Sequence, residues 1–149
     1  MTDQSQQTLD LKQFLPYRLS VLEQQISQSI ARHYIEQFGL SRMEWRVLSS
    51  LAMFSGITAT EICQFTHLEK MQVSRAINGL VDKKLVEQKK NHQDKRSVQL
   101  FLTNKGFDIY FQIVPSVKQE EQRIFSVFND LEREQFMQLI HKLCLSLEN

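Results

Sequence analysis

The chain has 149 residues, of which 42% are hydrophobic and 23% charged, and it carries a net charge of +1 with only 4 Gly and 2 Pro. This length fits one domain with a substantial core, and the scarcity of Gly and Pro favours short loops and a helical protein. Residues 1–7 are polar and lack the pattern of a signal peptide, and no apolar run approaches the roughly 20 residues of a membrane span, so we expect a cytoplasmic protein with no membrane segment.

The charges are unevenly distributed along the chain. Residues 67–106 hold nine Lys and Arg against four Asp and Glu, a net charge of +5 that leaves −4 for the remainder. A basic centre in an acidic surround favours binding of a polyanion through its local field. The alternative is a solvated charged face, but the motifs within this segment favour the first interpretation.

The first predicted helix covers residues 9–38. Gly39 provides its end, and apolar residues recur along it at steps of three and four, namely Leu15, Leu19, Leu22, Ile26 and Ile30. A helix of about thirty residues is long for a domain of this size. Its apolar stripe requires a cover, and a partner chain is a natural candidate.

Three shorter helices are predicted next. Residues 41–44 (Ser-Arg-Met-Glu) and 58–61 (Thr-Ala-Thr-Glu) each have the form of a capping box, which opens a helix. We expect these two helices to end near Phe54 and Phe65. After a turn, a fourth helix is predicted at residues 70–83, with a buried side formed by Val73, Ile77, Leu80 and Val81. This order is a helix-turn-helix pattern.

A β-hairpin follows the fourth helix. Residues 85–89 and 97–102 are predicted to be its strands, because apolar residues occupy every second position from Val98 to Leu102. The connecting residues 90–96 are polar and include Asn91 and Asp94 beside three basic residues, Lys90, Lys95 and Arg96. The pattern describes a wing that carries a charged tip on two short strands.

Two more helices complete the chain. Thr103 should cap a long helix that reaches about Phe128 and is kinked at Pro115. The apolar side of this helix includes Phe107, Phe111 and Val117. Asn129 opens the last helix, whose stripe consists of Phe136, Leu139, Ile140, Leu143 and Leu147. The predicted fold class is therefore mainly α with a small β-hairpin wing.

The fourth helix has a polar side that suits the major groove of DNA. Opposite its apolar positions it presents Lys70, Gln72, Ser74, Arg75 and Asn78. Arg75 can donate two hydrogen bonds to guanine, and Gln72 or Asn78 can pair with adenine. We expect Ser74 and Lys70 to hold phosphates instead. A plain amphipathic surface is the alternative, above all for Gln72 and Asn78.

In the wing, Arg96 is the strongest candidate for a DNA contact, because a guanidinium can enter a narrow minor groove of negative potential. Asp94 lies two residues away and could orient Arg96 through a salt bridge, or simply form a turn. The remaining basic residues of the wing should contact phosphates nonspecifically, namely Lys89, Lys90 and Lys95.

In order and spacing, these motifs resemble the MarR family of winged helix-turn-helix transcriptional regulators over nearly the whole chain. The matching segments are Glu44-Trp45-Arg46-Val47-Leu48, Gln72-Val73-Ser74-Arg75 with Leu80, Leu85-Val86, Asp94-x-Arg96-Ser97 and Leu102-Thr103-x-x-Gly106. Two positions depart from the family pattern. Lys84 stands where a glycine is frequent, which predicts local strain at that helix exit, and Glu69 replaces a small capping residue.

The resemblance implies one chain, residues 1–149, divided between two tasks. Helices in residues 9–38 and 107–149 would form a dimerisation domain, and residues 41–106 a winged helix-turn-helix DNA-binding lobe. It also implies a homodimer on a pseudo-palindromic operator, usually a repressor that a small effector releases.

An effector site is predicted on the first helix, near where the family forms such pockets. Cationic and aromatic side chains occur together there, namely Tyr17, Arg18, Arg32 and Tyr34. An arginine beside aromatic walls suits a small aromatic carboxylate. Surface salt bridging is the alternative for each of these residues.

We predict no cofactor and no metal site. The four histidines fall on separate predicted elements, and Cys63 and Cys144 show no zinc spacing. We interpret Cys63 and Trp45 as packing residues, and place Cys144 near the end of the last helix, where a dimer core could include it.

The leading hypothesis is a dimeric, operator-binding transcriptional regulator whose partner is double-stranded DNA. The alternative is a winged-helix module for protein–protein interaction without a specific operator, since one fold hosts several functions. An enzyme is the weakest option, because no phosphate loop, metal cluster or nucleophile–base pair is recognisable.

Overall fold

Six helices and one two-stranded sheet form the part of the chain that this computed structural model describes, residues 8–148. In chain order they are α1 (Leu15–Phe38), α2 (Arg42–Met53), α3 (Ala59–Thr66), α4 (Lys70–Asp82), β1 (Val86–Lys90), β2 (Val98–Leu102), α5 (Asn104–Phe125) and α6 (Asp130–Leu147). The predicted class, mainly α with a β-hairpin, is confirmed. The polar segment 1–7 lies outside the described residues.

Capping boxes open α2 and α3, as the sequence predicts. The Glu44 backbone N–H donates to Ser41 Oγ at 3.1 Å, and the Ser41 N–H donates to Glu44 Oε2 at 2.9 Å. Thr58 and Glu61 repeat this reciprocal pair at the start of α3. A cap of this kind contributes about 1 kcal/mol to helix stability, because it satisfies backbone donors that the helix leaves open.

The predicted start of the first helix was wrong by six residues. The helix begins at Leu15, and Pro16 lies in its first turn. Proline is favourable there because the first backbone donors have no helical partner. A helix starting at residue 9 would place Pro16 in its interior, where the ring clashes with the carbonyl four residues earlier. The predicted end is confirmed, since Gly39 adopts a left-handed φ of 65° directly after Phe38.

The long helix α5 begins after Thr103 as predicted but ends at Phe125, three residues early. Its last turn tightens, because the Ser126 N–H donates to the Arg123 carbonyl and Ser126 Oγ donates to the same oxygen. The predicted apolar side was also partly wrong. Phe111 is exposed within the chain, whereas Ile113 is fully buried. Pro115 lies inside the helix, and the kink expected there stays a prediction.

The core lies between α2, α3, α4, the sheet and the first half of α5. Its largest fully buried side chains are Leu40, Leu48, Leu51, Ile62, Leu80, Leu85, Leu100 and Ile113. Each contributes roughly 1.5–3 kcal/mol when it is removed from water. Residues 40–113 therefore contain the packed unit that carries the helix-turn-helix and the wing.

The hairpin is antiparallel, with a register that runs from Val86 opposite Leu102 to Lys90 opposite Val98. On the other edge of β2, the Gly56 N–H donates to the Leu100 carbonyl and the Leu100 N–H donates to the Ile57 carbonyl, both at 3.0 Å. Hydrogen bonds on both edges fix the base of the wing against the start of α3.

Thr103 and Gly106 attach the hairpin to α5. Thr103 Oγ1 accepts from the Gly106 N–H at 3.0 Å and donates to the Lys84 carbonyl at 2.7 Å. A Cβ at residue 106 would lie 2.2 Å from the carbonyl oxygen of Leu85. Only glycine permits this approach, which explains the Thr-x-x-Gly spacing in physical terms.

The helices α1 and α5 pack along each other and share a polar network. The Glu120 carboxylate accepts from Arg123 Nη2 at 2.6 Å and from the hydroxyl of Ser29, and it lies 3.5 Å from His33 Nε2. The hydrogen bond from Arg123, followed by that from Ser29, lowers the pKa of Glu120 from 4.5 to about 2. Both bonds stabilise the charged form.

The outer helices leave large apolar surfaces uncovered. None of the described residues of α6 is buried, and its stripe Leu139, Ile140, Leu143 and Leu147 is exposed. On α1, Leu15, Leu19 and Leu22 are exposed as well. None of the described helices combines the length and apolar character that crossing a bilayer requires.

Candidate nucleic-acid interface

The helix α4 presents a polar face to solvent. Its other side is buried through Val73, Ala76, Ile77 and Leu80, while all five predicted DNA-contact residues are exposed, namely Lys70, Gln72, Ser74, Arg75 and Asn78. Among the described residues, the side chains of Arg75 and Asn78 have no hydrogen-bond or ion-pair partner. Their polar groups are therefore available to a ligand in the groove in front of α4.

Gln72 differs from its neighbours because it closes the start of the helix. Its Oε1 accepts a hydrogen bond from the Glu69 backbone N–H at 3.2 Å. Pairing with adenine would need both the acceptor and the donor of the Gln72 amide. While the cap persists, only the NH2 group is left. Glu69 thus starts α4 with help from Gln72, although Glu69 itself is not a small capping residue.

The exit of α4 is strained at the predicted position. Lys84 has a φ of +61°, a left-handed conformation that disfavours any residue with a Cβ. The Lys84 N–H donates to the Val81 carbonyl and the Leu85 N–H donates to the Leu80 carbonyl, both at 2.9 Å. This pair of bonds is the Schellman motif, in which the left-handed residue is usually glycine. The strain expected at Lys84 is confirmed.

A partly buried ion pair joins α4 to α2. Lys83 Nζ lies 2.6 Å from Glu44 Oε2 and donates to the Gly39 carbonyl at 2.8 Å. Glu44 is only 8% exposed. Since Glu44 also caps α2, one carboxylate ties the end of α1, the start of α2 and the end of α4 together. Sequence reasoning missed this arrangement, because Glu44 and Lys83 are 39 residues apart.

The two faces of the wing carry different lysines. Side chains alternate across a strand, so Lys90 shares the face of Val98 and Leu100, and Lys89 lies on the opposite face. Lys89 Nζ is 3.3 Å from a Glu87 oxygen and 5.0 Å from the centre of the Phe101 ring. Lys90 has no such partner within residues 8–148. Of these two, Lys90 is the one on the side of α4.

At the wing tip, Asp94 acts on Arg96 through the backbone. Asp94 Oδ1 accepts from the Arg96 N–H at 3.0 Å, and the Asp94 carbonyl accepts from the Ser97 N–H at 3.1 Å. The guanidinium of Arg96 makes no ion pair with Asp94 or with any other described residue. The aspartate therefore shapes the turn that presents Arg96, in place of the expected salt bridge. Lys95, beside them, is exposed.

The recognition side of α4 and the wing border one continuous surface. A cleft of about 160 Å³ is lined by Ser74 and Asn78 from α4, Gln88 and Val98 from the wing, and Ala59 between them. Ala59 and Val98 also line a second cleft of about 310 Å³. Arg96, Thr58, Thr60 and Ser97 complete that second cleft. Residues from both predicted DNA-contact groups thus meet on the same side of the lobe.

The predicted effector residues on α1 do not converge. Tyr17 and Arg18 line an open groove of about 610 Å³ with Leu15, Leu19 and Leu22. Arg32 lies fourteen residues after Arg18, about 21 Å along the helix axis. Tyr34 is buried, and its ring stacks on that of Trp45 at 5.2 Å between centroids. Burial raises the pKa of Tyr34, partly opposed by the nearby Arg42 and Arg46.

A separate cleft lies between α2, the end of α3 and α5. It measures about 550 Å³ and is lined by Trp45, Arg46, Ser49, Ser50, Met53, Phe65, Thr66 and Tyr110. Ser49 Oγ is buried and has no hydrogen-bond partner among the described residues. Trp45 stacks between Tyr34 and Tyr110, at 5.2 and 5.7 Å. The Trp45 side chain thus packs against the core, as predicted, and also lines this cleft. The sequence prediction did not include this cleft, although an aromatic residue next to an arginine, Trp45-Arg46, is a signal that could have indicated it.

The cysteines and histidines show no common site. Cys63 is half-buried against the core, and Cys144 is exposed. Across residues 8–148, no three His, Cys, Asp or Glu side chains are placed to hold a metal ion.

The helices α2 to α4, followed by the hairpin β1–β2, define a winged helix-turn-helix protein. A sequence model of the MarR family matches residues 38–97. Over 109 residues the chain is 30% identical to YwoH of Bacillus subtilis, an uncharacterized HTH-type transcriptional regulator, covering 73% of this chain and 79% of YwoH. The chain therefore belongs to the MarR family of transcriptional regulators, which is not a family of enzymes. The resemblance seen in the motifs is confirmed.

Solved structures share the fold. The structure of S. aureus MepR in complex with DNA aligns at a TM-score of 0.81 with 22% identity, covering 89% of this chain and 98% of that one. The structure of Bordetella bronchiseptica BpsR, whose DNA binding is regulated by 6-hydroxynicotinic acid, aligns at a TM-score of 0.82 with 21% identity, covering 93% and 98%. At these identities the alignments establish the architecture.

Proposed function

We propose that this protein is a sequence-specific, double-stranded DNA-binding repressor that acts as a cytoplasmic homodimer on a pseudo-palindromic operator. One observation carries the proposal. Asn78 of α4 and Arg96 of the wing line two clefts that share Ala59 and Val98, and Arg75 is exposed three residues before Asn78 on the same helix; none of the three side chains has a competing partner among the described residues. The net charge of +5 in residues 67–106 matches a phosphate-facing surface.

The residues of this side have separable roles. Arg75 reads guanine with two donors, and Asn78 reads adenine with its donor and acceptor. Arg96 enters the minor groove beside the wing. Phosphate contacts come from Lys70, Ser74, Lys90 and Lys95, with a smaller share from Lys89, whose ammonium already contacts Glu87 and Phe101.

In the proposed dimer, a second copy of the chain buries the exposed apolar stripes of α1 and α6. These stripes are leucine-rich and are not covered by any part of residues 8–148, and burying each leucine contributes roughly 1.5–3 kcal/mol. A twofold pair also presents two α4 helices. Helix-turn-helix dimers place these helices about 34 Å apart, in successive major grooves, which is why such operators are palindromic.

DNA reading is tested by selecting duplexes from a random pool and measuring Kd by fluorescence anisotropy. Arg75→Ala should weaken operator binding by roughly 5- to 150-fold per half-site, because each subunit loses one bidentate contact of about 1–3 kcal/mol. Arg96→Ala should weaken it at least about tenfold with an unchanged far-UV circular dichroism spectrum. The matched control is Arg133→Ala, which removes one positive charge on α6 and should leave Kd within about twofold.

Ionic strength provides an independent readout. Binding should weaken steeply between 50 and 200 mM salt, and Lys90→Ala, which removes one phosphate contact in each half-site, should reduce the logarithmic salt slope by roughly 2. A flat salt response, or no selected sequence bound better than random DNA, would contradict the proposal. The second outcome would favour an interaction module without an operator.

We further propose that a small aromatic carboxylate relieves repression. The groove at Tyr17 and Arg18 borders the leucines that a second copy would cover. The cleft at Trp45, Arg46 and Ser49 is open in one chain, and its volume of about 550 Å³ suits a small ligand. It combines aromatic walls, a guanidinium and the unpartnered Ser49 hydroxyl.

Thermal shift with a panel of hydroxybenzoic and hydroxynicotinic acids tests the effector. If the cleft binds it, Arg46→Ala abolishes the stabilisation and Arg18→Ala preserves it, whereas the reverse result assigns the groove at Tyr17 and Arg18. No stabilisation by any acid contradicts the effector proposal. In vitro transcription from the promoter beside its own gene should fall on adding the protein and recover with the effector, while an increase would make it an activator.

A further inference from the structure

One residue on the exposed side of α4 is apolar. Met71 is the second residue of the helix and is 64% exposed. Arg75 follows four residues later and Asn78 seven residues later, so the three side chains lie on one line along the helix. Val73, Ile77 and Leu80 occupy the opposite side and are buried. Met71 therefore extends the line of Arg75 and Asn78 to the helix N-terminus.

The N-terminal turn of a recognition helix is the part that contacts base edges most closely. At this end of α4, Gln72 is engaged by the Glu69 N–H. Lys70 and Gln72 flank the line of Met71 on either side, about 100° away around the helix axis. The side chain placed to touch a base here is therefore a thioether, which offers no strong donor or acceptor.

Only one base presents an apolar group in the major groove, and that group is the C5-methyl of thymine. Cytosine at the same place has no methyl group and presents an amino donor instead. A thioether would remove water from this amino group without accepting its hydrogen bond in return. Methionine is unbranched and polarisable, so it adapts its shape to an apolar partner.

We propose that Met71 is a specificity-determining residue that selects thymine through its 5-methyl group. The inference rests on the proposed DNA-binding function and adds a base preference to it. Met71 and Arg75 are four positions apart in the helix, a spacing of about 6 Å along its axis. At 3.4 Å per base pair, the thymine lies within about two base pairs of the guanine that Arg75 reads.

Replacement of thymine by uracil removes only the methyl group and therefore tests the contact directly. Each thymine of the selected operator is replaced in turn, symmetrically in both half-sites, and Kd is measured by anisotropy. We expect one thymine whose replacement weakens wild-type binding roughly fourfold per half-site, the effect of one methyl group leaving an apolar contact. Met71→Ala should bind the thymine and uracil operators equally, and Met71→Leu should retain most of the discrimination.

Met137→Ala is the matched control, because Met137 is 61% exposed and lies on α6, away from α4 and outside the leucine stripe. It should discriminate thymine from uracil as the wild type does. Equal binding of every uracil operator by the wild type overturns the inference and leaves the proposed function intact. An undiminished preference of Met71→Ala for thymine over uracil also overturns the inference and leaves the proposed function intact. The methyl group would then act on another residue or through the shape of the DNA. If the wild type selects no DNA sequence, both proposals fall.

Discussion

The DNA-binding lobe and the outer helices contain the same kind of amphipathic sequence, but their apolar sides differ in whether the chain covers them. In the lobe, the apolar side of α4 is buried against α2, α3 and the sheet. In α6, a stripe of similar composition remains exposed, with Leu143 at 51%. The lobe is therefore complete within one chain, whereas the outer helices are complete only in the proposed pair. Amphipathic periodicity shows that a helix buries one side, but not whose surface covers it.

The largest effect should come from a substitution that disrupts the proposed dimer interface of the outer helices. Leu143→Glu should shift the dimer to monomers, because a charge would replace a leucine at two related positions. Each leucine contributes roughly 1.5–3 kcal/mol, so the dimer Kd should rise at least about a hundredfold. Analytical ultracentrifugation measures the change. His141→Glu, which introduces the same charge on the opposite side of α6, is the control and should remain dimeric. A dimeric Leu143→Glu variant would show that α6 is not the interface.

Breaking the lobe is the complementary test. Gly106→Ala places a Cβ 2.2 Å from the Leu85 carbonyl oxygen and should lower the free energy of unfolding by about 2–3 kcal/mol. Urea denaturation followed by circular dichroism gives the value. Asn104→Ala, at an exposed position of the same turn, should change it by less than about 1 kcal/mol. Equal stability of the two variants would mean that α5 shifts away without cost.

A smaller change should improve the lobe. Lys84→Gly relieves the left-handed φ of +61° at the exit of α4 and should raise the free energy of unfolding by about 1 kcal/mol. Lys84→Ala removes the same charge but keeps the Cβ, so it should not stabilise the protein. If both variants stabilise it equally, the charge and not the backbone is the cause.

The smallest effect concerns the contact between α1 and α5, and it depends on pH. The pKa of Glu120 is lowered to about 2 from an ordinary 4.5. The Glu120 carboxylate accepts these hydrogen bonds only in the folded state. Its contribution to the free energy of unfolding is therefore fully present above about pH 4.5 and is lost as the pH falls towards about 2. Glu120→Gln should therefore lower Tm at pH 7, and the difference from wild type should shrink below pH 4. Glu121→Gln is the charge-matched control. A constant difference across this range would contradict the assignment.

Local patterns predicted most of the fold. Ser41, Thr58, Thr103 and Asn129 open helices at the expected residues, since an N-cap acts within three residues of itself. The strain at Lys84 followed from one departure from the family pattern. Pro16 was an equally local signal, and neglecting it moved the start of α1 by six residues. The polar side of α4 also followed from periodicity alone.

The tertiary structure decided which distant side chains meet. No pattern in the sequence predicts that Glu44 binds Lys83, that Trp45 stacks between Tyr34 and Tyr110, or that Gly106 touches the Leu85 carbonyl. These contacts join residues far apart in the chain, and their geometry depends on how whole helices pack. The same cause places Arg96 in a cleft that adjoins the one at Ser74 and Asn78 of α4. Sequence periodicity determined which sides of the elements are polar, and packing determined which of those sides face the same way.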